Sequence, residues 1–317
     1  MKPPRGRARF FALKIHHLAR SPTTRGSTIQ RIPVHWLLLA PALLFVAAMA
    51  LFPLGYSFVL SFREWKLAQS VVPGQWVGAN NYWYLLTDDP DFLEAIRVTA
   101  VFVVADVLVT LAIALGAALL LQKAGRINSL ARVLLILPFV MSPALVGISF
   151  RFFLNGEYGI VHHLIGLAFP AMKNTIWLAD STLSMVAVVA ADVWHWAPYM
   201  TLVMLGGLAS IPKETEEAAR IDGASSWAVF RDVTLPQLLP VISIVLVLKT
   251  VFALKAFDII YTLSNGGPGR STQTLAYFVY ETAFNYYDMG YAAAAAYILT
   301  AALLVTSGFY LRLVFRK

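Results

Sequence analysis

Six stretches of this 317-residue chain stay apolar for about 20 residues or more, and a run of that length is best accommodated as a helix crossing a bilayer. They fall at about 36–60, 98–121, 131–153, 182–207, 238–260 and 290–312. In hydrocarbon every backbone N–H and C=O must find its partner within the protein, so the expected class is all-α: a polytopic membrane protein with six transmembrane helices. Composition agrees, since hydrophobic residues make up 59% of the chain and charged residues 13%. A soluble chain of this size needs far more polar surface.

The charges between the runs orient them. Residues 1–35 form a basic head with Lys2, Arg5, Arg7, Arg9, Lys14, Arg20, Arg25 and Arg31 and no acid, which predicts a cytoplasmic N-terminal segment. The first apolar run is long, starts late and leads into Phe62-Arg63-Glu64-Trp65 without a small-x-small cleavage site, so it is expected to be retained as a span. Connection 122–132 carries Lys123, Arg126 and Arg132 and no acid, whereas 154–181 holds Lys173 beside Glu157 and Asp180. The tail residues Arg312, Arg316 and Lys317 match an even number of spans with both termini cytoplasmic. Segment 61–97 then falls outside, and its Trp65, Trp76, Tyr82, Trp83 and Tyr84 read as interfacial anchors.

Several chemistries are excluded early. The chain has no cysteine, and its six histidines form no H-x-x-H or H-E-x-x-H spacing, so neither a disulfide framework nor a metal site is expected. A net charge of +8 is compatible with nucleic-acid binding, but the basic residues sit where they orient a membrane protein, and no nucleic-acid partner is expected. Neither a Walker sequence nor G-x-G-x-x-G occurs, so no nucleotide-phosphate site is expected on this chain.

Connection 208–237 is cytoplasmic in this topology and looks specified for contact. Ile211-Pro212 stops the preceding element, and Lys213 to Arg220 is a short helical run with acids near its N-terminus, the favourable end of the helix dipole. Asp222-Gly223 supplies the turn, where Gly223 allows a positive φ or a close backbone approach. Ala224 to Phe230 reads as a second short helix with Trp227 and Phe230 three apart on one face. Charged residues around small and aromatic ones suit a protein interface; an amphipathic connector lying on lipid headgroups is the plainer alternative.

The same residues carry a resemblance. Glu217-Ala218-Ala219, three residues, Gly223, nine residues, Val233, one residue and Leu235-Pro236 resemble the cytoplasmic loop of permease subunits of bacterial ABC importers, with Val233 in the usual isoleucine place. The chain is most similar to the carbohydrate-uptake branch, related to maltose, trehalose and glycerol-3-phosphate permeases, through Leu208-Ala209-Ser210-Ile211-Pro212, Ile221-Asp222-Gly223-Ala224 and the outer-loop signature Gly266-Gly267-Pro268. The likeness covers roughly 36–315, the transmembrane permease domain, and departs from the pattern at Val98 and His162, where asparagine is usual. It implies that Glu217, Ala218, Ala219, Arg220, Asp222, Gly223, Trp227, Phe230, Leu235 and Pro236 form a coupling-helix loop, between the fourth and fifth spans, seated on a cytoplasmic ABC ATPase dimer that binds ATP and Mg²⁺. It also implies a second homologous permease as partner in a heterodimer, an extracytoplasmic solute-binding protein, a sugar-like solute, membrane lipid as surroundings, a cell inner membrane location and no cofactor on this chain.

Polar residues within the spans are the remaining candidates, because an ionisable side chain at the bilayer centre costs about 2.5–3.5 kcal/mol on insertion scales. Asp192 and His195 lie three apart with Trp194 and Trp196 around them; Lys249, Lys255 and Asp258 interrupt the fifth span and Asp106 the second. Asp192, Trp194, His195, Trp196, Lys255 and Asp258 can line a translocation path, pair helices, or sit at interface level. Lys255 and Asp258 are spaced to neutralise one another. A proton relay through Asp192 and His195 would make the chain a secondary transporter or a channel subunit, the alternative to an ATP-driven importer; that reading lacks an internal repeat or a second titratable cluster. Pro138 and Pro143 predict a kink in the third span, the plainer reading, or a break in it.

Overall fold

The computed structural model describes residues 34–122 and 125–314. The basic head and tail residues Arg316 and Lys317 lie outside the described residues, as does Lys123. Among the described residues thirteen α-helices run in the order α1 Val34–Leu60, α2 Asn80–Thr87, α3 Pro90–Leu121, α4 Arg126–Val140, α5 Pro143–Phe153, α6 Ile160–Ala168, α7 Ser181–Ala209, α8 Lys213–Ile221, α9 Ser226–Val229, α10 Leu235–Leu254, α11 Asp258–Leu263, α12 Leu275–Tyr280 and α13 Met289–Val314. Among the described residues the ladder contacts are two isolated bridges, Arg63 to Trp76 and Lys66 to Asp288.

Five of the six expected spans are long apolar helices: α1, α3, α7, the run leading through α10, and α13. The starts of α3 and α7 follow from local chemistry. Asp89 Oδ1 accepts from the N–H groups of Asp91 and Phe92 and Pro90 opens α3, so that helix begins well before the apolar run. Asp180 Oδ1 caps α7 in the same way, through Thr182 and Leu183 at 2.9 Å each.

The third expected span is not one kinked helix. Its helical pair, Asn128–Val140 and Pro143–Phe153, is bent by 97°. Met141 and Ser142 are both extended, because a residue before proline is pushed out of the helical region and Pro143 can only begin a new helix. Ser142 Oγ then caps α5 by accepting from Leu145 N–H. The fifth span is shorter than expected too: α10 stops at Leu254, and the chain turns through Lys255–Phe257 into α11.

The two broken spans pack against each other where they turn. A Cβ on Gly147 of α5 would lie 1.9 Å from Thr262 Oγ1 and 2.9 Å from the Ile259 carbonyl of α11, so only glycine allows this approach. Around them a core of Phe102, Val146, Val188, Ile260 and Tyr277 joins α3, α5, α7, α11 and α12. A second core, with Ala114, Met200, Met204, Leu238 and Val245, joins α3, α7 and α10. In α13, Ala294 and Ala295 are fully buried against Leu85, Phe92 and Phe278, which the small side chains permit.

Candidate functional site

The insert between α7 and α10 is a self-supporting pair of short helices. Glu214 and Glu216 stand in the first turn of α8 and Arg220 in its last, each on the favourable side of the dipole. Gly223 N–H donates to Arg220 O and Ala224 N–H to Ala219 O, a Schellman closure with Gly223 at φ +86°. Nothing lies within 4 Å of a Cβ placed there, so the glycine serves backbone geometry and not close packing. Ser225 Oγ accepts from Ala228 N–H and starts α9, which is shorter than the expected second helix. Phe230–Thr234 is a π-helical turn that feeds directly into α10. Thr234 Oγ1 donates to Glu216 Oε1 at 3.0 Å and ties α8 to the foot of α10.

The outer face of this insert is open. Glu217, Ala218, Arg220, Asp222, Gly223 and Pro236 are exposed, while Ala219, Phe230 and Leu235 are half-buried. Ile221 is 86% exposed and Trp227 66%, and the Trp227 and Phe230 rings lie 5.5 Å apart. Apolar side chains presented this way amid charges match the make-up of a protein interface. Glu216, which holds the insert to α10, was not among the expected contact residues; its partner stands eighteen residues on, beyond any local spacing rule.

A second site lies at the turns of the broken spans. A cavity of about 140 Å³ is lined by Pro143, Asp192, Trp196, Phe252, Lys255 and Asp258, among others. Trp196 and Phe252 stack at 4.3 Å. Lys255 and Asp258 are exposed and do not pair with each other, because the chain leaves the helix between them. Trp194 points elsewhere, toward Phe150 and an apolar cavity lined with Pro138 and Pro198.

Asp192 and His195 do not work as a pair. Asp192 Oδ2 is bound to Lys249 Nζ, and the same ammonium lies 2.6 Å from Asp106 Oδ2, all three side chains being buried. His195 Nδ1 is 3.0 Å from the Pro138 carbonyl, which stands at the end of α4. Asp192 thus pairs across helices, in a three-span ion cluster with Lys249 and Asp106, and not with His195, the partner that the alternative proton relay needs. The sequence placed all four residues in spans, but contacts 57 residues apart, as between Lys249 and Asp192, leave no local signal.

At the far ends of the spans, the Gly266-Gly267-Pro268 turn is pinned from three sides. Ser184 Oγ of α7 and Thr272 Oγ1 both donate to Gly267 O, and Tyr277 OH donates to Asn265 O. Burial pushes the Tyr277 hydroxyl up to about 12, so it remains a donor at neutral pH. Arg270 pairs with Asp91 at 2.6 Å, and Lys66 lies 3.9 Å from Asp288. His162, at a departing position, is buried and accepts from Trp177 Nε1 at 3.1 Å. Among the described residues no cluster of three or more His, Asp or Glu is arranged to hold a metal.

Residues 109–317 match the family described as "Binding-protein-dependent transport system inner membrane component". The chain is 32% identical over 281 residues to the sulfoquinovosyl glycerol transport system permease protein SmoG of Agrobacterium fabrum, covering 89% of this chain and 90% of that protein. It is 32% identical over 274 residues to the trehalose/maltose transport system permease protein MalF of Thermococcus litoralis, covering 86% and 90%. The crystal structure of a bacterial ABC transporter involved in the import of the acidic polysaccharide alginate superposes with a TM-score of 0.78 at 19% identity, covering 91% of this chain and 97% of that one. That likeness establishes the fold.

Proposed function

The chain belongs to the family of binding-protein-dependent transport system inner membrane components, and from that premise we propose that it forms half of the pathway of a sugar importer driven through the α8–α9 insert. It is a multi-pass inner-membrane permease subunit of an ABC importer, and ATP hydrolysis takes place in a separate ATPase subunit. The solutes named for its relatives, sulfoquinovosyl glycerol and trehalose or maltose, support a disaccharide, oligosaccharide, polyol or glycerol phosphate as cargo.

In this reading the insert lies on the cytoplasmic side with both termini, the Gly266-Gly267-Pro268 turn lies on the opposite side, and a loaded binding protein docks there. A second homologous permease completes the pathway. Nucleotide-driven closure of the ATPase dimer moves α8 and α9, Glu216 carries that motion to Thr234, and α10 takes it into the membrane. About fourteen residues separate Leu235 from Lys249, roughly 20 Å of rigid helix. The stacked Trp196 and Phe252 offer apolar faces to a sugar ring, and Lys255 and Asp258 offer hydrogen bonds.

The observation that carries the coupling reading is the exposed, Schellman-closed insert running without a break in the chain into α10. The test is Gly223→Glu in the complex purified through a tag on this chain. Uptake of maltose, trehalose and sulfoquinovosyl glycerol as probes, and the ATP hydrolysis they stimulate, should fall sharply while the amount of chain in the membrane is unchanged. Coupled uptake at the parent rate would sink the assignment.

A further inference from the structure

The ion cluster at the packing of α3, α7 and α10 is more than those helices need to hold together. Asp106 and Lys249 are fully buried and Asp192 is 2% exposed. Two carboxylates share one ammonium, so the cluster carries an acceptor in excess; Asp106 Oδ1 and, one turn along α3, Thr110 Oγ1 have no hydrogen-bond partner. Apolar side chains of similar volume generally hold helices at least as well as a buried ion cluster, which has to offset desolvation.

The placement of the three groups indicates another use. Lys249 sits on α10, the helix that continues from the insert. Asp192 borders the cavity at the broken spans, whereas Asp106 does not. The other ionisable groups nearby are His195 of α7, turned to the Pro138 carbonyl, and Lys255 and Asp258 across the cavity. One donor between two acceptors on different helices is an element with two discrete pairings.

We propose that Lys249 is a positioning residue of the transport cycle: as α10 moves, its ammonium shifts between Asp106 and Asp192, and that exchange links the insert to the cavity. The inference rests on the importer reading above. No covalent step is involved; both ion pairs are closed in this structure, and one lengthens while the other holds as α10 moves.

The absence of cysteine allows a direct test. Ala256, which lines the cavity, is replaced by cysteine in the complete complex in liposomes, and its labelling by a membrane-impermeant thiosulfonate is timed with and without ATP plus vanadate. The parent should change its labelling rate by about tenfold. Asp106→Asn, which pins Lys249 on Asp192, should cut that change below about twofold while the complex still hydrolyses ATP. Asp106→Glu should restore it, which a purely packing role does not predict.

If Asp106→Asn is lost from the membrane, the neutral triple variant Asp106→Asn, Asp192→Asn, Lys249→Met decides. It should insert normally and show no nucleotide-dependent change. A triple variant that keeps the parental change overturns the exchange, and one absent from the membrane assigns the cluster to packing and overturns it as well. A parent with no nucleotide-dependent change would instead overturn the importer reading on which the exchange depends.

Discussion

Gly147 and Asp288 are the two residues whose substitution tests the local physics most sharply. A methyl group at 147 has no space against Thr262 and the Ile259 backbone. Gly147→Ala should therefore cost about 1–3 kcal/mol, an overpacking effect, and lower the melting temperature in detergent. An unchanged melting temperature would contradict the α5–α11 contact. Asp288 lies just before α13, where burial raises its carboxyl above the usual aspartate range despite Lys66 nearby. The sign follows from linkage: a raised folded value means the folded chain binds its proton more tightly than the unfolded chain. That contribution is complete below the unfolded pKa and is lost as pH rises through the folded one. Asp288→Asn retains an oxygen able to accept from Tyr291 N–H, so its stability relative to the parent should rise between pH 4 and pH 7 in thermal melts. A constant difference across that range would refute the burial account.

At the scale of elements, the insert is held by its caps and presents an exposed face, the one proposed to meet the ATPase, and these can be separated. Ser225→Ala removes the acceptor at the start of α9 and should cost about 1 kcal/mol of local stability, seen as faster amide exchange over 225–230. Exchange unchanged from the parent would mean the cap does not hold α9. Elements were legible in the sequence where one length scale governs them. Apolar runs of bilayer length marked the spans, and Pro212, Gly223 and the acid-first charge order marked α8. The breaks were less legible. Pro143 announced a disturbance, but a bend of 97° also needs Gly147 to admit α11, a partner more than a hundred residues away. Lys255 stops α10 with no proline or glycine beside it, and Ala256 O instead accepts from Thr274 Oγ1 of a later segment. The Lys255–Asp258 pairing failed for that reason: its i,i+3 geometry presumes a helix that has already ended.

At the scale of the whole molecule, the candidate site divides along the same line. The proposed contact residues of the insert lie within twenty positions of one another and were readable as a motif, whereas Asp106, Asp192 and Lys249 meet only after three spans have packed. Large apolar side chains remain exposed along α3 and α13, among them Val104, Leu108, Leu304, Val305 and Phe309. Lipid and a second permease are the surroundings proposed for them, and gentle purification through a tag on this chain should yield a complex containing two permeases and two ATPase copies by native mass. A stable monomer would contradict the half-pathway. The central claim, that the α8–α9 insert is the contact through which a separate ATPase drives this subunit, is tested most directly at Ala218, exposed on α8 in a chain without cysteine. A single cysteine there, treated in native membranes with a short thiol–amine crosslinker, should capture a protein bearing a Walker motif, identified by mass spectrometry. Efficient modification of the cysteine with no ATPase attached would contradict the account.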